Sequence, residues 1–134
     1  MKKLIYAFVI FIVILFFILL FVNISRVNNE LSIDNLPTGE LQTTSTSPDG
    51  KYEVKLYLYS GGATTGYYMR GELVEENKKK NIYWKCDEFR TEISWIDNHT
   101  VNINGKELDV RHDVYDWRKD KEFCESIRKE DFTK

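Results

Sequence analysis

Six residues in the middle of the chain, Gly61-Gly62-Ala63-Thr64-Thr65-Gly66, have the composition of a loop that cradles phosphate. Small residues let backbone N–H groups close on an anion. A phosphate loop of the G-x-x-x-x-G-K-[ST] type also needs a lysine, a hydroxyl residue and a helix behind it. Here Tyr67 and Tyr68 follow Gly66 and open another alternating run. The stretch therefore reads as the connection of a hairpin or bulged loop. A second candidate is His112-Asp113 with Asp116, an imidazole and two carboxylates of metal-ligand type. The other histidine, His99, falls in an Asp97-Asn98-His99 turn. Nothing in the order of residues brings a cysteine, a histidine and an acid together as a nucleophile set. No catalytic residue, metal or cofactor is expected. A hydrolase or metal enzyme using the loop around His112 is kept as the most remote alternative.

The runs on either side of the glycines must position whatever that region does. Tyr52 to Tyr59 alternates strictly, with Tyr52, Val54, Leu56 and Leu58 on one face and Glu53, Lys55, Tyr57 and Tyr59 on the other. Tyr67 to Glu75 does the same, with Tyr67, Met69, Gly71 and Leu73 against Tyr68, Arg70, Glu72 and Val74. Period two with β-branched and aromatic residues marks half-buried strands. Tyr57, Tyr59, Tyr68 and also Tyr83 are placed on the face away from the aliphatic residues. That face is either an open platform or the floor of a second packed layer. With the loop it forms the expected ligand or partner surface: Gly61, Gly62, Thr64, Tyr57, Tyr59, Tyr68 and Arg70. Arg70 and Glu72 also read as a cross-strand charge set.

Further strands are expected over Asn81–Cys86 (Ile82, Trp84 and Cys86 on one side), Thr91–Ile96, Thr100–Ile103 and Lys106–Val110, with Asn104-Gly105 as a hairpin turn. Glu76 to Lys80 reads as a charged loop with Lys78, Lys79 and Lys80 at its solvated tip. The fold class is mainly β: a small antiparallel meander of about six strands over residues 46–118, opened by the Ser47-Pro48-Asp49-Gly50 turn chemistry. Residues 119–134 are charged, with Phe123 and Ile127 at helical spacing, and suggest a short C-terminal helix capped by Asp116.

The remaining hydrophobicity is at the front. From Leu4 to Val22 there is no charge, proline or glycine. A helix over 4–22 would be about 28 Å long, close to the roughly 30 Å of a bilayer's hydrocarbon. It is apolar all round, so it wants lipid on every side. No small-x-small cleavage pattern follows, and the run exceeds a signal peptide's apolar core, so an uncleaved signal anchor is expected. Residues 1–3, with Lys2, Lys3 and the terminal amine, outweigh Arg26. The positive-inside rule then puts the N-terminus in the cytoplasm and the remainder outside the cell membrane. Residues 23–45, rich in Asn, Ser and Thr, read as a polar linker. A formal net charge of −2 over 134 residues gives no basic footprint for nucleic acid. Cys86 and Cys124 fall in the part expected outside, where a disulfide between them or two buried thiols are both open.

The blocks SPDGKYEVKLYLYSGGATTGYYMRGELVE, KKKNIYWK, ISWIDNHTVNINGKELDV and YDWR make the chain resemble a family of small Bacillus-type membrane proteins, domain of unknown function number 5412. The resemblance covers about Ser47 to Arg118. It implies one N-terminal anchor and a small β-rich domain, and it implies no catalytic residue. The leading expectation is a single-pass membrane protein whose extracellular β domain is a non-enzymatic interaction or accessory module. It would meet the bilayer through residues 4–22 and an envelope protein through the β domain. The alternative is a small-ligand binding or sensing module.

Overall fold

The computed structural model describes residues 1–30, 32–62 and 66–120. They fall into two units, Met1–Asn35 and a second that begins at Leu36.

The first unit is helix α1, Lys2–Glu30, followed by a single 3₁₀ turn at Ile33–Asn35. Within α1, the 26-residue stretch Lys2–Val27 holds an 18-residue window of mean hydropathy 3.4, with none of that window buried in the protein. Length and composition suffice to cross a membrane. The helix runs past the expected end at Val22 because Ile24 and Val27 continue the apolar surface and no proline or glycine intervenes before Pro37. Asn23 fits in it by donating its side-chain amide to the Leu19 carbonyl at 2.7 Å.

The second unit is built of β1 Glu40–Thr46, β2 Tyr52–Ser60, β3 Tyr67–Glu75, β4 Lys78–Cys86, β5 Ile93–Trp95, β6 Thr100–Ile103, β7 Lys106–Asp109 and β8 Tyr115–Asp116. One sheet has the order β1-β2-β3-β4-β8 and the other β5-β6-β7. All pairings are antiparallel except β4 with β8. A single hydrophobic cluster joins the sheets. Tyr52, Val54 and Leu56 come from β2, Met69 and Leu73 from β3, Val101 and Ile103 from β6, and Leu108 and Val110 from the region of β7.

Four expectations change. Glu40–Thr46, assigned to the linker, is an edge strand paired on β2. It is polar and lightly buried, so it shows no apolar period, and backbone pairing holds it. The Ser47–Gly50 motif is consequently the β1–β2 turn and does not open the fold. Ser47 Oγ accepts from the Tyr52 N–H at 2.9 Å and donates to Asp49 Oδ1 at 2.6 Å. Secondly, Lys78, Lys79 and Lys80 are not a loop tip. They lie in β4 opposite Glu75, Val74 and Leu73, and the hairpin turns at Glu76, whose φ is +54°. Thirdly, the described residues form eight strands in two sheets, because β1 and the two-residue β8 are held by their partners and not by their own pattern.

The fourth change concerns β4. Gly71 pairs with Tyr83 and Glu72 with Asn81, so Ile82 is an extra residue, a β-bulge. Ile82 and Tyr83 both point into the core, fully buried, and every residue beyond them changes face. Tyr83 therefore does not share the outer face with Tyr57, and Trp84 and Cys86 do not share a side with Ile82. Gly71 permits the arrangement: a Cβ there would lie 2.7 Å from Tyr83 Cβ. Burial pushes the Tyr83 phenol pKa well up.

Asn104 and Gly105 form the β6–β7 turn with φ of +50° and +88°. The Asn104 side chain is buried and does more than turn the chain. It donates to the Arg90 carbonyl at 2.7 Å and accepts from the Glu92 N–H at 2.9 Å, tying the approach to β5 onto the small sheet. The expected C-terminal helix, with Phe123 and Ile127, lies outside the described residues beyond Asp120. What is described there is a 3₁₀ turn, Trp117–Lys119, capped by Asp116.

Candidate functional site

The outer face of the five-stranded sheet gathers most of the expected site residues. Alternation along β2 sends Tyr57 and Tyr59 outward, and β3 sends Tyr68, Arg70 and Glu72 the same way, in register with them. The bulge then adds Asn81 and Trp84 from β4, opposite Glu72 and Arg70. β8 contributes Asp116 beside Trp84.

Two clusters form on this face. In the first, the Arg70 guanidinium lies 4.3 Å from the centre of the Tyr57 ring, within cation–π distance. Arg70 Nη1 donates to Asn81 Oδ1 at 3.0 Å and to Glu72 Oε2 at 3.3 Å. The Tyr57 hydroxyl donates to Glu72 Oε1 at 3.4 Å. Burial, and then the Glu72 charge, push the Tyr57 phenol pKa up. Arg70 is only 8 % exposed, and its Nε has no acceptor among the described residues. In the second cluster, Tyr68 stacks on Trp84 with centroids 5.1 Å apart and an interplanar angle of 11°. Tyr59 and Trp117 flank it at 6.2 and 6.3 Å. Trp84 is buried, whereas Tyr57, Tyr59, Tyr68 and Trp117 are half-buried. The face is thus a packed aromatic layer with a half-open rim. Trp117 Nε1 is a second buried donor with no acceptor among the described residues.

Gly61 and Gly62 follow β2 at the end of this face, and Gly61 N–H donates to the Gly66 carbonyl at 3.2 Å. With β2 before it and β3 after it, the glycine segment connects two antiparallel strands. Thr64 lies outside the described residues. A Cβ at Gly66, where φ is +75°, would sit 3.0 Å from Asp87 Oδ1. Cys86 is on the outer side of β4 in register with Tyr68; it is buried and is not a free thiol. Cys124 lies outside the described residues.

The loop around His112 is a different place. Its Nδ1 is 2.9 Å from Asp113 Oδ1 and its Nε2 3.4 Å from Asp109 Oδ2. The Arg111 guanidinium, hydrogen-bonded to Asp109, holds that carboxyl well below the usual range. Asp116 does not join them. Its carboxylate accepts from the Arg118 N–H at 3.1 Å, Nε at 2.8 Å and Nη2 at 2.6 Å. Burial pushes the Asp116 carboxyl up, but the Arg118 hydrogen bonds outweigh it and leave it below the ordinary value of 3.8. Among the described residues no group of three or more His, Cys, Asp or Glu could hold a metal ion. His99, in the β5–β6 turn, has its ring centre 6.1 Å from that of Tyr52.

With this arrangement in view, the family assignment has a structural meaning. The chain belongs to the family of unknown function DUF5412. The family profile matches residues 2–120, well beyond the expected Ser47–Arg118, and takes in α1, all eight strands and the Trp117–Lys119 turn. No curated protein and no solved structure matches the chain. Trp84, Asn81, Trp117 and the Asp116–Arg118 pair were not expected on the face. The block YDWR carried a signal for three of them, an acid two residues before an arginine with a tryptophan between. The place of Trp84 and Asn81 depends on the bulge.

Proposed function

We propose that the chain is a single-pass membrane protein of the cell envelope, with α1 as an uncleaved anchor and the β unit outside as a non-enzymatic interaction module. The observation that carries this reading is the apolar stretch Lys2–Val27, unburied on every side, joined to a unit with a separate hydrophobic core. Lys2 and Lys3 against Arg26 support a cytoplasmic N-terminus. A Cys86–Cys124 disulfide fits an oxidising exterior, and the absence of a free thiol at Cys86 supports it. The partner surface is the half-open rim of the outer face, Tyr57, Tyr59 and Tyr68, since aromatic rings with polar tips suit protein contacts. Alkaline extraction with protease digestion of intact spheroplasts tests the topology. The β unit should stay with the membrane and be digested from outside; release of the protein, or protection of the β unit, overturns the reading.

A second reading, a small-ligand module, is favoured by the two buried donors Arg70 Nε and Trp117 Nε1 on one face. A buried donor without an acceptor costs about 1–3 kcal/mol, which a ligand acceptor would recover. Native mass spectrometry of the purified chain should then show a co-purified small molecule that is lost in Arg70→Met. A bare protein mass in both forms counts against it.

A further inference from the structure

Beyond the anchor, and resting on it, we propose that one end of the β unit dips into the lipid interface through Tyr67 and Phe89. Both are exposed large hydrophobic residues of the β unit, at 43 and 60 %. Tyr67 and Phe89 are not scattered, since their ring centres are 4.9 Å apart. Exposed single apolar residues are ordinary, but a paired exposed Tyr and Phe on one tip is a candidate contact.

The topology says which end this is. The chain reaches the sheet at Glu40, which pairs with Leu58 of β2. Ser60, two residues further along β2, pairs with Tyr67. Cys86, at the end of β4, pairs with Tyr68, and Phe89 follows three residues later. The first contact of the chain with the sheet is also close-fitting. A Cβ at Gly39 would lie 2.6 Å from the Leu58 carbonyl oxygen, so the arriving chain is pressed against β2 there. Between Glu30 at the end of α1 and Glu40 there are ten steps of chain, at most about 35 Å when fully extended. Three of the intervening residues form the 3₁₀ turn, which shortens that reach. With α1 across a membrane, this is the end of the β unit whose tether reaches the headgroups, within that length of chain. Of the other exposed large hydrophobics among the described residues, Leu41 is on the edge strand β1 opposite Tyr57, and Ile96 is beside the β5–β6 turn, whose His99 meets Tyr52 at the far end of β2.

The tip is not basic, so the lipid contact is apolar in kind. Glu88 is bridged by Lys85 at 2.9 Å and Arg90 at 3.1 Å, and Asp87 next to it is exposed. A tyrosine with its ring in the boundary and its hydroxyl toward water is the side chain that interface selects. Lipid contact should therefore persist on zwitterionic lipid and in high salt, unlike that of a polybasic segment.

The test uses the full chain in phosphatidylcholine vesicles at 0.5 M salt, a concentration on the order of that which screens surface charge within a few ångströms. A p-benzoylphenylalanine photoprobe is placed in turn at Phe89, Tyr67, Ile96 and Ile10, and lipid adducts are read by mass. Near-ultraviolet circular dichroism from the buried Trp84 confirms the fold of each variant. Adducts at Ile10, Phe89 and Tyr67, with at least fivefold less at Ile96, support the proposal. Adducts at Ile10 alone leave the anchor standing and overturn the lipid-dipping tip. Adducts at none of the four overturn the anchor reading itself. Equal adducts at Phe89 and Ile96, or protein adducts in place of lipid at Phe89, also overturn the proposal.

Discussion

The two faces of the five-stranded sheet are made by the same strands and the same alternation, yet they are held by different forces. The inner face is aliphatic and dry: Val54, Leu56, Met69 and Ile82 are fully buried against the β5-β6-β7 sheet. Its stability comes from the area removed from water and from close packing. The outer face is aromatic and ionic. Arg70, Glu72, Asn81 and Tyr57 hydrogen-bond with one another, and Tyr68 stacks on Trp84. It gains less from burial and more from directional contacts, and its rim stays half open. A closed inner face supports the fold, and a half-open polar and aromatic face can meet something else. The β-bulge at Ile82 sets the division, because it decides that Tyr83 belongs to the first face and Trp84 to the second.

The comparison predicts a ranking of substitution costs. Leu56→Ala, on the inner face, should cost the most, about 2–5 kcal/mol in the thermal or urea unfolding of the full chain in detergent micelles. A loss below about 1 kcal/mol would mean that the two sheets do not share a core. Gly71→Ala should come next, at about 3 kcal/mol, because its new methyl meets Tyr83 Cβ at 2.7 Å and neither backbone is free to move away. If that variant is as stable as the parent, the bulge does not press Tyr83 on Gly71.

Asp116→Asn tests the outer face and should cost about 1.5 kcal/mol at pH 7 by weakening the hydrogen bonds from Arg118. The sign with pH follows from the direction of the shift. Asp116 has a folded pKa held below 3.8, so its contribution is complete above pH 3.8 and is lost as pH falls through the folded value. The difference between parent and variant should shrink in that acid window, and a constant difference from pH 7 to pH 2 would remove Asp116 as the cause. His112→Ala should change stability by no more than about 0.5 kcal/mol, since the His112 side chain is itself 67 % exposed. A larger loss would make the 109–113 turn part of the scaffold.

How much of this could be read from the residue order depends on where each residue sits. β2 and β3 were legible to within a residue because each has two faces of different chemistry, and period two then shows. The Asn104-Gly105 turn was legible because few residues accept positive φ. β1 was not, since an edge strand of Thr, Ser and Gln carries no apolar alternation. β8 was not, since two residues have no period. Ile82-Tyr83-Trp84 reads equally well in either register, all three being large and apolar. The outer surface was half legible: Tyr57, Tyr59, Tyr68 and Arg70 follow from alternation, while Trp84, Asn81 and Trp117 do not.

By itself, then, the sequence determined that an unbroken apolar helix precedes a small antiparallel-dominated β fold. Hydropathy over 26 residues and alternation over nine are local properties that need no partner to be expressed. Tertiary structure alone decided the division into two sheets, the strand status of Glu40–Thr46 and the face on which each β4 residue lies. Those depend on which backbone finds which across the sheet, and on the absence of a side chain at Gly71, where Tyr83 takes up the space.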